Sequence, residues 1–301
     1  MGNGWIKGIL TGIFWAVVVA ASSAQAREVV DLVGRRLRVP DVPQRVVTLA
    51  PSLTEMVFAL GSGHRVVGVS QYSNYPAEVQ ALTKVGSYVH PDVEKIVALK
   101  PDLVLAVKDG NPRGVVEKLE QFGIPVYAVN PKTIRQVMET LLALGNVLHA
   151  QERAEALVAD MARRLQSVDD AIRNVTYRPG VFFQIGVSPI VSVGTETFAH
   201  ELIVRAGGRN VAEGPDPYPR FTLEQVMTLR PDTIIVSSME RAQIFDQVRE
   251  QWLRWSGIPA SAEHRVYLVP SDLFDRPGHR LVDGLELLVR MLHPELSHGR
   301  R

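Results

Sequence analysis

Apolar and polar positions follow two rhythms along this chain. Short β-branched runs at 46–49, 66–69, 103–107 and 126–129 read as buried strands. Between them, apolar residues recur three and four apart and predict helices. The first runs from Ser52 to a stop at Gly61. The second starts near Asp92 and ends before Lys100-Pro101. The third and fourth cover 113–122 and 134–148. Ser52-Leu53-Thr54-Glu55 has capping-box spacing and is expected to open the first helix. Gly61-Ser62-Gly63 lacks the third glycine of a dinucleotide fingerprint and reads as a helix end and turn. Strand and helix in strict turn predict a parallel sheet with crossover helices.

The rhythm then changes. The segment 151–175 contains neither Gly nor Pro. Ala154, Leu157, Val158, Met161, Leu165, Val168 and Ile172 share one face, so a single long amphipathic helix is expected, closed by Arg178-Pro179-Gly180. Beyond it, strands are expected at 181–185, 233–236 and 266–269, and helices at 198–206, 223–229, 244–255 and 281–292. The expected fold class is α/β: two Rossmann-like lobes, each a mainly parallel sheet with flanking helices, joined by one long α-helix. The boundaries expected are 27–150, 151–176 and 177–301. A repeat supports the two lobes. Tyr88, Glu94, Leu99, Lys100, Pro101 and Asp102 align without a gap with Tyr218, Glu224, Leu229, Arg230, Pro231 and Asp232.

Residues 1–26 read as an export signal. Lys7 is their only charge, an almost unbroken apolar run covers 9–21, and Ala24-Gln25-Ala26 fits a cleavage site after Ala26. The run is shorter than the roughly 20 residues a bilayer span needs. The expected destination is the periplasm.

Composition narrows the function. The chain carries 33 Lys+Arg against 32 Asp+Glu, a net charge of +1, which gives no footprint for a phosphate backbone, so no nucleic-acid partner is expected. There is no cysteine, which excludes disulfides, thiolate metal sites and cysteine nucleophiles. No G-x-S-x-G, Walker A or H-E-x-x-H pattern occurs, so neither an enzyme nor a catalytic cofactor is expected. The eight His are scattered; His90, His200 and His279 leave a zinc site as an alternative, but no metal ligand is assigned. Asp31 and Asp41 read as single acids on polar faces.

The aromatic residues carry more. Tyr72-Ser73-Asn74-Tyr75-Pro76 follows a strand, where α/β sheets bind ligands. Tyr88 and Tyr218 precede equivalent helices of the two half-repeats and can flank one cleft, each offering a ring face and a hydroxyl to a flat ligand. Pro215, Pro217 and Pro219 stiffen the Tyr218 loop. Glu94 and Glu224 fall in first helical turns, where a carboxylate favours the positive helix end; they are also candidate docking points for basic residues of a partner.

These residues resemble the periplasmic binding proteins of ABC importers whose lobes are joined by one long helix. The likeness is strongest to the vitamin B12-binding branch. Its marks are 68–76, 97–103, Gly110-Asn111 with Arg113, Gly207-Gly208 with Asn210, and Ser271-Asp272-Leu273-Phe274-Asp275-Arg276. The resemblance implies that Pro51, Ser52, Tyr72, Tyr88, Tyr218, Phe274 and Arg276 line a corrinoid (cobalamin) cleft. It implies that Glu94 and Glu224 dock on an inner-membrane permease, and that the protein is a monomer. Where that branch has tryptophans, this chain has Tyr88, Val107 and Tyr218. Haem relatives use a tyrosine as axial ligand, so Tyr88 keeps haem as an alternative. Siderophore relatives use basic clefts, to which Lys108 and Arg276 would contribute.

Overall fold

A computed structural model describes residues 26–237 and 242–298; the segment read as an export signal lies outside them up to residue 25. The first lobe holds a wholly parallel sheet. Its strands stand in the order Thr83–Lys84, Val66–Val69, Val46–Thr48, Leu103–Val107, Val126–Val129. Strand order reverses between Val46–Thr48 and Leu103–Val107. The connections diverge there and leave a crevice beyond the strand ends.

The second lobe centres on Gly180–Gly186. Arg209–Asn210 and Thr233–Ser237 lie parallel to it, and Val266–Val269 extends the sheet. Ile190–Ser192 returns antiparallel and carries the short strand Arg220–Phe221 on its outer edge.

The half-repeat survives in detail. Asp92 and Thr222 cap the helices Val93–Ala98 and Leu223–Leu229, accepting from Lys95 N and Gln225 N. Ile96 and Val226 are the buried residues of these helices. Lys100 and Arg230 share a left-handed backbone, at φ 48° and 47°. Asp102 N donates to Arg45 O and its carboxylate accepts from Arg45 N; Asp232 and Gly180 repeat the exchange. Each Pro-Asp pair therefore pins the entry of its lobe's first sheet strand.

The bridging helix is Gln151–Ile172, three residues shorter than the Gly- and Pro-free stretch. Its 22 residues span about 33 Å. Met161, Leu165 and Val168 enter one apolar core that also takes Leu53 and Leu141 from the first lobe and Leu202 and Leu285 from the second. Arg164 adds ion pairs to Asp283 and Glu286 of the helix Leu281–Leu292, at 2.6 and 2.8 Å.

Two sequence expectations are corrected. The capping box at Ser52–Glu55 does not form: Ala50 precedes a helix that Pro51 opens, Pro51–Ala59, without any side-chain cap. Proline suits that position because its missing N–H has no helical partner there. Glu55 is instead used between the lobes. Asp31 is not on a polar face. It is buried in the turn of an N-terminal hairpin, Ala26–Val30 with Arg36–Pro40, and accepts from Val33 N, Arg35 N and Ala128 N.

Candidate functional site

The loops at the first lobe's crevice are set by buried polar groups. Asn111 accepts from Val107 N at 2.7 Å and donates to Leu49 O at 3.2 Å and Tyr88 O at 2.8 Å. One amide thus ties the ends of both switch-point strands to the Tyr88 segment, and Val107 is buried beneath it. The Tyr88 ring lies across Gly110: a Cβ there would fall 1.6 Å from Tyr88 Cζ. On the other side, hydroxyls of Thr48, Thr54, Ser70 and Ser73 bond in a buried chain of 2.7–2.9 Å contacts. This chain holds the start of the Tyr72 loop, while Tyr72 itself is exposed.

Tyr218 approaches from the second lobe. Tyr218 N donates to Asp216 Oδ1, Gly194 N to Pro217 O and Ser192 N to Pro219 O. Gly194 lets this loop press close, since a Cβ would meet Asp216 O at 1.8 Å. Tyr218 is 53% exposed over a pocket of 230 Å³ whose lining includes Ile185, Phe198, Phe274 and Asp275. Phe274 is fully buried against Phe183, with ring centroids 5.7 Å apart, and forms floor rather than an open face.

The two tyrosines share an electrostatic environment. Burial pushes the Tyr88 hydroxyl up to about 12, helped by Asp109 and Tyr218. Burial also raises Tyr218, and Asp275 and Asp109 add to the rise while Lys132 opposes it. Both phenols therefore stay protonated at neutral pH, ready to donate and to offer a ring face. Lys132 is paired with Asp109 at 3.2 Å. Asp275 Oδ1 accepts from Ser237 Oγ at 3.0 Å, and burial raises its carboxyl to about 6.

Arg276 does not stand free in this cleft. It is 8% exposed and reaches across the lobes to Glu55 at 2.6 Å, Asn74 Oδ1 at 2.7 Å and Tyr72 O at 3.2 Å, while also pairing with Asp272. Glu55 is 2% exposed and takes Arg280 as a second partner at 3.4 Å; Arg280 covers the Tyr75 ring at 4.0 Å. Burial raises the Glu55 carboxyl, and the Arg276 hydrogen bond and charge oppose that rise. Ser52 is buried at the same junction, 4.0 Å from where a Gly278 Cβ would stand, and Pro51 is half-buried beside it. Tyr72 and Arg276 line a recess of 280 Å³ that shares no residue with the pocket under Tyr218. The sequence candidates thus divide into two tyrosines, one on each lobe, and an inter-lobe junction.

Sequence reasoning passed over Glu55, Asp109, Asn111 and Asp275 as site residues. Glu55 was hidden by its helix-cap spacing; Asn111 and Asp275 lay inside quoted motifs without a stated role. Among the described residues no three His, Asp or Glu gather as metal ligands, and none of the helices is long and apolar enough to cross a membrane. His200 instead bonds Asn210, and His90 is exposed on the other lobe. Glu94 and Glu224 are both exposed on the first turns of their helices.

Two α/β lobes on one long helix, with a cleft between their strand ends, define a ligand-binding protein of the bilobal kind. The family profile of the periplasmic binding proteins matches residues 46–273, and the chain belongs to that family. It is 32% identical to the vitamin B12-binding protein of Vibrio campbellii over 244 residues, 80% of this chain and 86% of that one. The fold matches the periplasmic vitamin B12 binding protein of Vibrio cholerae with a TM-score of 0.75 at 28% identity, covering 86% of this chain and 99% of the other. It also matches a periplasmic heme binding protein of Pseudomonas aeruginosa, at 0.76 and 29%, covering 84% and 94%.

Proposed function

We propose that this protein captures a corrinoid, vitamin B12 or a close relative, between Tyr88 and Tyr218 and delivers it to the permease of an ABC importer. In this reading the chain is exported, cleaved after Ala26 and works as a monomer in the periplasm. Its lobes are 27–150 and 177–301, with 151–176 as the linker. Pro51, Ser52, Tyr72, Phe274 and Arg276 shape the walls and floor around the tyrosine pair. It binds and releases its ligand without chemistry, and cobalamin is cargo rather than cofactor.

The observation that carries this reading is the tyrosine pair: Tyr88 of one lobe has its hydroxyl raised in part by Tyr218 of the other. A flat macrocycle edged with neutral amides suits two protonated phenols. The likeness to vitamin B12-binding proteins points the same way. Haem is the second reading, favoured by the likeness to a heme binding protein. Ferric haem would take Tyr88 as tyrosinate, with the iron's own charge favouring that ionisation, so the titration below separates the two readings. A ferric siderophore would need a basic cleft; of the two cations named for it, Arg276 is buried and paired with Glu55 and Asp272, which leaves Lys108, exposed beside Asp109.

The experiment is a titration of the mature protein with cobalamin, cobinamide, haemin, a ferric siderophore and Zn²⁺. Saturable one-to-one binding of the two corrinoids, with no Soret shift from haemin, is expected. Haemin binding with a tyrosinate charge-transfer band and no corrinoid binding would overturn the reading in favour of haem.

A further inference from the structure

A cavity on the far side of the second lobe's sheet belongs neither to the tyrosine pair nor to the inter-lobe junction. Side chains alternate along the central strand Gly180–Gly186. Phe183 and Ile185 face the side of the pocket under Tyr218, whereas Phe182 and Gln184 face the other. There a cavity of 400 Å³ is walled by Ile190, Leu223 and Val248, and it shares no residue with the pocket under Tyr218 or the recess at Tyr72. Its floor is polar at one point. Gln184 is 2% exposed; its Oε1 accepts from Trp252 Nε1 at 2.8 Å and its Nε2 donates to Gly186 O at 2.9 Å. An indole N–H only donates, so this bond fixes which amide atom is the oxygen, and a carboxamide carries a second N–H. That second N–H of Gln184 has no acceptor among the described residues. Trp255 stands at the rim, 41% exposed, with Arg254, whose guanidinium has no acid partner among the described residues. The described lining holds no acid.

We propose that this cavity is a second binding site, separate from the cleft, for a compact aromatic carboxylate. Two indoles offer ring faces and edges to a flat ring. The free N–H of Gln184 on the floor and the guanidinium of Arg254 at the rim supply donors, and no described acid of the lining repels an anion. Hydrogen bonds to an ionised acceptor are the stronger kind, and a guanidinium matches a carboxylate as a fork. The volume lies at the small end of the roughly 300–1,000 Å³ that ligand sites occupy, which suits one or two fused rings and not a macrocycle. Trp252 is seated by Gln184 and by the Phe182 ring, with centroids 6.2 Å apart, so the aromatic floor is formed before any ligand arrives. The inference does not rest on the corrinoid reading, since none of these groups belongs to the cleft.

Beyond residue 26 the tryptophans of the chain are Trp252 and Trp255, and both line this cavity, so indole N–H resonances report on it directly. Titration of the mature protein with 2-naphthoate, followed by those resonances, should shift both and saturate as a single site. 2-Naphthamide, of the same shape without the charge, should bind about tenfold or more weakly. Arg254→Gln should bring the two affinities together by weakening the acid alone. Trp255→Ala should weaken both probes by about fivefold. Both substituted side chains are exposed, and the Trp252 resonance, which depends on the buried Gln184 bond, verifies that each variant is folded. Saturating cyanocobalamin should leave the affinity for 2-naphthoate unchanged. Absence of saturable shifts, equal binding of the two probes to the wild type, or an undiminished preference for the acid in Arg254→Gln would overturn the assignment. Displacement of 2-naphthoate by cyanocobalamin would place the probe in the cleft and overturn it as well.

Discussion

Burial moves Asp275 and Tyr88 in the same direction with opposite consequences. Tyr88 keeps its proton far above neutral pH and loses nothing by it. Asp275 is raised from 3.8 to about 6, so at pH 7 it is mostly ionised in a site that resists ionisation. Between about pH 4 and 6 the folded state binds this proton more tightly than the unfolded chain does. Stability therefore falls as pH rises through that window, by up to about 3 kcal/mol, and stays lowered above it. Asp275→Asn should abolish this loss. Denaturant titrations should show the variant more stable than wild type at pH 7.5 and no more stable at pH 4. Equal stabilities at both pH values would contradict the buried, ionised carboxylate.

At the scale of elements, loops are held by contacts with little or no local sequence signature. Gly110 is glycine because the Tyr88 ring occupies the place of its Cβ. Gly110→Ala should push the ring out of its seat and weaken corrinoid binding by about 1–3 kcal/mol with the fold intact. Calorimetry and circular dichroism on the same sample check this. The half-repeat, the bridging helix and the central strands were legible because apolar periodicity and Pro-Asp punctuation act locally. The junction was not legible. Glu55 and Arg276 are 221 residues apart, and local spacing offered Glu55 a helix cap that the fold does not use. Nor does sequence reveal that Asp31 closes a hairpin against Ala128, since the partner is distant along the chain. Arg276→Met should leave Glu55 buried with the longer Arg280 contact and cost about 3–5 kcal/mol at pH 7. The penalty should shrink on acidification, as Glu55 takes up a proton and no longer carries an underpaired charge. Thermal melts across pH would show this; a pH-independent penalty would assign the loss to packing.

For the whole molecule, one continuous core and a helix of several turns join the lobes, and Glu201 of the second lobe accepts from Ile134 N of the first at 2.8 Å. These ties resist large hinge motion, since hinges act at loops that absorb wide backbone changes. In the proposed delivery step the permease meets Glu94 and Glu224, which are exposed and hold equivalent places in the half-repeat. Paired charges at a rim chiefly set association rate and register, and salt screens them over about 10 Å at 0.1 M. Glu94→Lys with Glu224→Lys should therefore leave corrinoid affinity nearly unchanged and abolish stimulation of permease ATPase, with each single change milder. Full stimulation by the double variant would return both residues to a purely helical role.

In the proposed complex the ligand sits between two tyrosines supplied by different lobes. Calorimetric titration of cyanocobalamin into the wild type, Tyr88→Ala, Tyr218→Ala and the double variant tests it most directly. One site per chain is expected, with a loss of about 1–3 kcal/mol for each single variant and a double loss that departs from the sum because both rings share one ligand. Wild-type binding that survives unchanged in the double variant would contradict it.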